Sequence, residues 1–347
     1  MAAGPASHRR LLGLLPKDSR SSDRRTQVEL VHRGGLMAAH STTWRYGAHE
    51  NNPNGDSLVG FLGPRFWPAW CLVAWLRVAS LLPWRFAIRL HKGIGTVLWL
   101  LLPRRRHVVA RNLELAFPEL GRKEIRLLTR RHFQSLTACV AETAFAWFGM
   151  VDDSLMDVEL DGVEHVYAAL TSGSGVILYT GHFTPLEICA PILKRSFPLV
   201  GFMFRRRRNA LLDAVQRRGR QHSAHISFPS DNARAMIRAL KRKAVVWYAP
   251  DQSYSSKGSV ALPHFGQLAN VSLATSRIAR MGGARVIPFA YYRKPDDSGY
   301  VLRFDPAVDQ AGTDEECTRR LLTTLEGLIA ENPDQYAWTP NRLRNTA

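Results

Sequence analysis

The chain reads as an α/β domain with a largely parallel or mixed sheet flanked by helices, placed behind one N-terminal membrane helix. Three observations predict this. From residue 155 onward, apolar runs of strand length alternate with helical patterns. Residues 66–83 form a tryptophan-rich apolar run, and residues 1–58 carry no sustained apolar periodicity.

The first 58 residues are rich in Arg, Ser, Gly and Asn, which predicts disorder or an over-extended start with translation beginning near Met37. No apolar core followed by a small-residue cleavage site opens the chain, so no secretory signal is read. A membrane anchor with a basic juxtamembrane segment is expected over residues 59–106. Its apolar run is near the shortest length that spans a bilayer, with Trp67, Trp70 and Trp75 toward one end and one charge, Arg77, able to snorkel past Pro83. Residues 84–106 hold six Lys/Arg against two in residues 45–65, so the positive-inside bias places the chain beyond the anchor in the cytoplasm. Residues 94–102 are apolar but too short to span, and the Arg104–Arg106 triplet reads equally as a headgroup contact or a solvated face.

A long helix is expected over residues 122–148. Strands come next at 175–179, 198–204, 244–249, 284–292 and 300–304, with helices near 209–221, 231–242, 267–281 and 313–331. Residues 107–347 then make the catalytic domain. The sequence holds 47 Lys+Arg against 29 Asp+Glu, a formal charge of +18, so its partners are anionic: nucleic acid, an acidic lipid leaflet, a phosphorylated substrate or an acidic carrier protein. Four dispersed cysteines suggest neither a zinc knuckle nor a disulfide framework, which suits a reducing compartment.

In such sheets functional groups gather at the carboxyl ends of strands. His182, Arg205 and Asp251 each come within a few residues of the end of a predicted strand. His182 and Glu187 place an imidazole and a carboxylate across a strand-to-helix turn, the parts of a general base; their spacing of five is wrong for one face of a regular helix. Thr184, Pro185 and Glu187 equally fit a capping box, and both readings stand at this point. Arg205 and Arg206 begin a run of four arginines that suits phosphate or a solvated face. Asp251 and Gln252 read as a site pair or as an ordinary turn.

The order of these blocks carries more than any one of them. His182 with Glu187, Phe204–Arg205, residues 246–252 (Val-Trp-Tyr-Ala-Pro-Asp-Gln) and residues 286–289 resemble the HX4(D/E) acyltransferases. Within that group the chain most resembles the lipid A late acyltransferases of the Kdo-lipid IVA lauroyltransferase type. Residues 64–67, 111–118, 141–147 and 209–213, and Gly219 with Arg220, are similar too, so the likeness covers about 59–344. The chain departs from that pattern at Ser253–Ser255 and after Trp338. The resemblance implies a glycerol-phosphate-acyltransferase-like domain and an enzyme that moves an acyl chain from acyl carrier protein to a hydroxyl of a phosphorylated glycolipid. It implies His182 and Glu187 as the base pair, Arg205, Arg206, Asp251 and Gln252 as substrate-binding residues, and neither metal nor redox cofactor. It also implies a single-pass protein of a Gram-negative inner membrane. A relative acylating another lipid would keep the same blocks. A nucleic-acid binder would explain the charge, but no nucleic-acid motif accompanies it.

Overall fold

The computed structural model describes residues 58–149, 156–204, 207–220, 223–229, 232–252 and 259–338. Four helices come first: α1 (Trp67–Ala79), α2 (Trp84–Leu101), α3 (Pro103–Ala116) and α4 (Arg122–Phe148). The remaining elements are β1 (Asp157–Asp161), α5 (Val163–Thr171), β2 (Gly175–Tyr179), α6 (Leu186–Ser196), β3 (Val200–Phe204), α7 (Ala210–Arg220), β4 (Ile226–Pro229) and α8 (Ala233–Leu240), then β5 (Val245–Tyr248), β6 (Ser259–His264), β7 (Gln267–Ser272), α9 (Ala274–Gly282), β8 (Ala284–Arg293), β9 (Gly299–Phe304) and α10 (Asp314–Glu331).

Seven strands form one sheet in the order β1-β9-β8-β2-β5-β3-β4. The five from β8 to β4 run parallel; β9 is antiparallel to β8 and β1 is parallel to β9. The expected mixed, largely parallel sheet with flanking helices is therefore present. All five residues of β2 are buried, as an apolar central strand of a parallel sheet requires. The core spreads from there through Val245, Val246, Ile287, Phe289 and Leu302, and through α4.

Four strands escape the sequence reading. β1 and β4 are edge strands whose part-exposed positions alternate with polar residues and give no apolar run. β6 and β7 form a separate hairpin, and β7 followed by α9 stands where residues 267–281 were expected to be one helix. The turn between them, Phe265–Gly266, has positive φ at both positions (50° and 68°), the backbone of a two-residue hairpin loop. Leu268 and Val271 lie three apart and imitate a helical face, but the helix begins only at Ala274.

The membrane-spanning expectation is overturned among the described residues: no helix there is long and apolar enough to cross a membrane. The apolar run is helical only as far as Ala79, leaving α1 with 13 residues, about 20 Å of helix against the ~30 Å of a hydrocarbon core. Helix α2 is longer but carries Arg85, Arg89 and Lys92. Arg77 does not snorkel; its Nη1 donates to the carbonyl of Phe148 at 3.1 Å, fastening α1 to the end of α4. Both helices lie along the domain, with Leu76 and Ala79 packed on Ala144, and Ile88 and Trp99 in the main core. Their outward faces stay apolar: Trp67, Trp75 and Val78 on α1, Phe86, Val97 and Leu101 on α2 are all exposed. The basic Arg85 and Arg89 are exposed beside them. Residues 1–57 lie outside the described residues, and so does the expectation made for them.

Candidate active site

Strands β2 and β5 pair in parallel with Tyr179 opposite Tyr248. His182 and Asp251 each come three residues after that pair, so the register delivers both to the same end of the sheet. There Asp251 Oδ1 meets His182 Nδ1 in a short hydrogen bond, and Asp251 Oδ2 accepts the backbone N–H of His182 at 2.9 Å. The phenol of Tyr336 donates to the same Oδ2 at 3.0 Å. A carboxylate only accepts from the ring, so in the neutral tautomer the proton sits on Nδ1 and the lone pair on Nε2. The Asp251 side chain is 4% exposed and that of His182 is 28% exposed, which leaves the imidazole reachable while its partner is enclosed.

Gly181 makes this approach possible. A Cβ there would stand 2.7 Å from Tyr336 Cε2 and 3.3 Å from Asp251 Oδ2, so a side chain would push apart the two groups that grip the histidine loop. The loop is further tied to the segment 335–338. Thr184 N donates to the Gln335 carbonyl at 2.7 Å, Ala337 N to the His182 carbonyl at 2.9 Å, and Phe183 bridges Tyr336. The buried Tyr291 phenol donates to the Gly181 carbonyl at 3.1 Å and accepts from Phe183 N at 3.3 Å. Burial and then the Asp251 charge push that phenol well up, so it stays a donor. These bonds occupy the backbone N–H groups of His182, Phe183 and Thr184. These three amides of the strand-to-helix turn are therefore already committed within the protein.

The expected capping box is absent. Helix α6 starts at Leu186 with Pro185 as its cap residue and no side-chain cap bond. Thr184 Oγ1 instead pairs with Ser135 Oγ at 2.6 Å. Glu187 is 7% exposed and turns away from the imidazole, toward α4 and α7. It accepts Trp147 Nε1 at 2.9 Å and Arg220 Nε at 3.0 and 3.2 Å, with Arg220 Nη2 closing a bidentate pair. The carboxylate on His182 is thus that of Asp251, and the expected His182–Glu187 pairing gives way to it. The physical reason is donor supply: a buried carboxylate needs several donors, and Glu187 finds a guanidinium and an indole on its own side of the loop.

Helix α4 underlies all of this. His132, Ser135, Glu142 and Trp147 reach the site region from it. His132 Nδ1 donates to the Asp334 carbonyl at 3.1 Å, and complete burial pushes its pKa down to about 4, so it is a neutral brace. Glu142 is fully buried, pairs with Arg293 and accepts the Tyr300 phenol at 2.7 Å. The Gln335 side chain clamps Arg293 at both backbone atoms, accepting from N at 2.8 Å and donating to O at 2.9 Å. Asn112, in the Arg-Asn-Leu-Glu run, donates to the Trp338 carbonyl at 2.6 Å.

Of the six residues chosen from sequence, the structure brings His182 and Asp251 together and places Glu187 one turn along. Gln252 closes the short 3-10 turn after β5. Arg205 and Arg206 come directly after Phe204, the last residue of β3, and lie outside the described residues. Tyr336, Tyr291 and Arg220 were missed as site residues. Only Arg220 left a signal, in the Gly219–Arg220 pair; the two tyrosines reach the loop from segments over a hundred residues downstream.

Residues 58–345 match the family described as Bacterial lipid A biosynthesis acyltransferase. The lipid A biosynthesis lauroyltransferase of Escherichia coli (strain K12) is 34% identical over 292 residues, 82% of this chain and 94% of that protein. The lipid A biosynthesis palmitoleoyltransferase of the same strain is 32% identical over 289 residues, 82% of this chain and 93% of that protein. Its lipid A biosynthesis myristoyltransferase is 23% identical over 286 residues, 80% of this chain and 87% of that protein.

Proposed function

The chain belongs to the bacterial lipid A biosynthesis acyltransferase family, and on that premise we propose that it moves a fatty acyl group from acyl carrier protein to a hydroxyl of a phosphorylated lipid A precursor. The observation that carries this reading is the imidazole of His182, fixed at Nδ1 by Asp251 and open at the sheet's carboxyl end. The acceptor hydroxyl gives its proton to Nε2 as its oxygen attacks the thioester carbonyl carbon. Asp251 stabilises the imidazolium that forms, the role the sequence assigned to Glu187. Collapse of the tetrahedral intermediate breaks the carbon–sulfur bond, and the imidazolium returns the proton to the departing thiolate. The step needs neither metal nor redox cofactor. Arg205 and Arg206, coming directly after β3, supply positive charge for the developing oxyanion or for substrate phosphate, and Gln252 stands beside Asp251 as a substrate contact.

Asp251→Asn is expected to lower kcat about a hundredfold or more while the protein stays folded, because an amide can present its N–H to the ring and favour the wrong tautomer. Steady-state transfer to a lipid A precursor, with mass spectrometry of the product, checks it. Retention of full kcat would remove Asp251 from the base assembly.

The exposed row on α1 and α2, flanked by Arg85 and Arg89, supports attachment in the plane of the inner membrane with the sheet on the cytoplasmic side. Trp75→Glu combined with Phe86→Glu is expected to abolish flotation of the purified protein with vesicles containing anionic phospholipid. Unchanged flotation would place the attachment elsewhere. The same charge excess suits an acidic carrier protein.

A further inference from the structure

Several segments that carry the family resemblance take no part in the chemistry of the base: the end of α4 at Trp147, the run 209–213, and Gly219 with Arg220. They converge beside one cavity. It measures ≈ 210 Å³ and lies between α7 and strands β3 and β4, with Phe202, Phe204 and Ile226 on the sheet side and Asp213, Gln216, Arg217 and Arg220 on the helix side. For scale, an apolar cavity of about 150 Å³ admits benzene. Strand β3 is interior to the sheet, yet Phe202 and Phe204 are only half-buried and both line the cavity, Phe202 with its ring also 5.1 Å from that of Trp247.

The guanidiniums on its wall are held in place. Arg220 is fixed by the bidentate bond to Glu187, itself held by Trp147. A side chain at Gly219 would collide with the Trp147 ring, so glycine lets α7 come close enough to form that chain of contacts. Arg217 Nε lies 3.3 Å from Asp213 Oδ2, and the other oxygen of Asp213 accepts the backbone N–H of Arg207 at 2.8 Å. The Arg207 side chain in turn donates to Gln216. Of these charged groups, two guanidiniums, Arg217 and Arg220, and one carboxylate, Asp213, line the cavity, while Arg207 and Glu187 brace them from behind. His225 adds no charge near neutral pH, since burial and then Lys194 push its pKa down. The cavity edge keeps an excess positive charge, on side chains whose ordering entropy is already spent.

The other face of α7 points toward the lipid side. Leu211 and Val215 pack on Phe66, Ala69 and Val73 at the start of α1, whose outward face is the exposed apolar row. One helix thus separates the cavity from the surface assigned to the membrane. A group arriving there has an anionic part for the guanidiniums and carbon for the two phenylalanines.

Building on the acyltransferase reading, we propose that this cavity binds a phosphate of the lipid acceptor, with Arg217 as its principal ligand and Phe202 and Phe204 against the sugar ring that bears it. Arg220 is the second cation of the site. Glu187 has the role of aiming it, which accounts for a buried carboxylate near the histidine that does not touch it.

The test uses the full-length purified protein, one acyl donor, and a lipid A precursor compared with the same lipid after its phosphates are removed. The wild type is expected to favour the phosphorylated acceptor by about tenfold or more in kcat/KM, the scale of a charge-assisted hydrogen bond. Arg217→Ala should bring that ratio close to one through acceptor KM, and Arg217→Lys should fall between. Because Arg217 is exposed on its helix, unchanged thermal melting is expected in both variants. Absence of transfer to either acceptor by the wild type overturns the reading of function together with the phosphate site. Transfer without phosphate preference overturns the phosphate site alone. If Arg217→Ala keeps the preference, other cations bind the phosphate and the assignment to Arg217 fails. If instead it raises only the donor KM, the cavity serves the phosphodiester arm of the carrier-bound donor, and the acceptor assignment fails.

Discussion

His182→Ala is expected to reduce acyl transfer by about a thousandfold or more without unfolding the protein. General-base catalysis contributes about 10²–10⁴ in rate, and its loss here also strands the proton that the leaving thiolate needs. The fold should tolerate the change for a local reason. The loop is held by its backbone, through the His182 carbonyl to Ala337 N and through Thr184 N to the Gln335 carbonyl, and neither bond involves the imidazole. The ring is partly exposed, so truncation opens no sealed cavity. The Asp251 carboxylate keeps the Tyr336 phenol and the His182 backbone N–H as donors. Circular dichroism and flotation should match the wild type while turnover disappears. Substantial turnover by a homogeneous His182→Ala preparation would end the base assignment.

Glu142→Ala carries the largest expected effect on stability, a loss of about 3–5 kcal/mol. Arg293 is 3% exposed and Glu142 is not exposed at all, so removing the carboxylate leaves a guanidinium in the core with its counter-charge gone and the Tyr300 phenol without its acceptor. The denaturant midpoint of the detergent-solubilised protein measures it. Arg293→Met in the Glu142→Ala background should recover part of the loss, because an apolar replacement for both partners removes the orphaned charge. A single variant as stable as the wild type would mean that water enters and solvates Arg293. Activity should fall along with stability, since Gln335 clamps the Arg293 backbone and stands next to Tyr336, which holds Asp251.

The sheet was legible wherever a strand is interior. β2, β3, β5, β8 and β9 announced themselves as apolar runs, whereas β1 and β4 are short edges whose pairing depends on neighbours remote in sequence. His182 and Asp251 were each legible as strand-end residues. Their partnership was not, because it depends on register: Tyr179 opposite Tyr248 is a fact of three dimensions, although the equal offset from two adjacent apolar runs hints at it. Glu187 misled because nearness along the chain imitates nearness in space. Its donors, Trp147 and Arg220, come from α4 and α7, 40 residues before it and 33 after. The spanning helix misled for a different reason. Hydropathy registers apolar content and not what covers it, so a helix with one face in a protein core and the other exposed reads much like one surrounded by lipid.

The grip of residues 335–338 on the histidine loop has a consequence for how the protein is made. The ribosome emits α1 and α2 first, and about 150 residues separate His182 from Tyr336. At roughly 5–20 residues per second, some ten to thirty seconds pass between the histidine and the segment that seats it. During that interval the nascent chain already owns its outward apolar row but has no assembled base, since Asp251 lacks Tyr336 and Phe183 lacks its bridge. On the proposed attachment and the proposed base, lipid contact can precede competence, and a chain cut short before residue 335 is expected to float with vesicles and to transfer no acyl group.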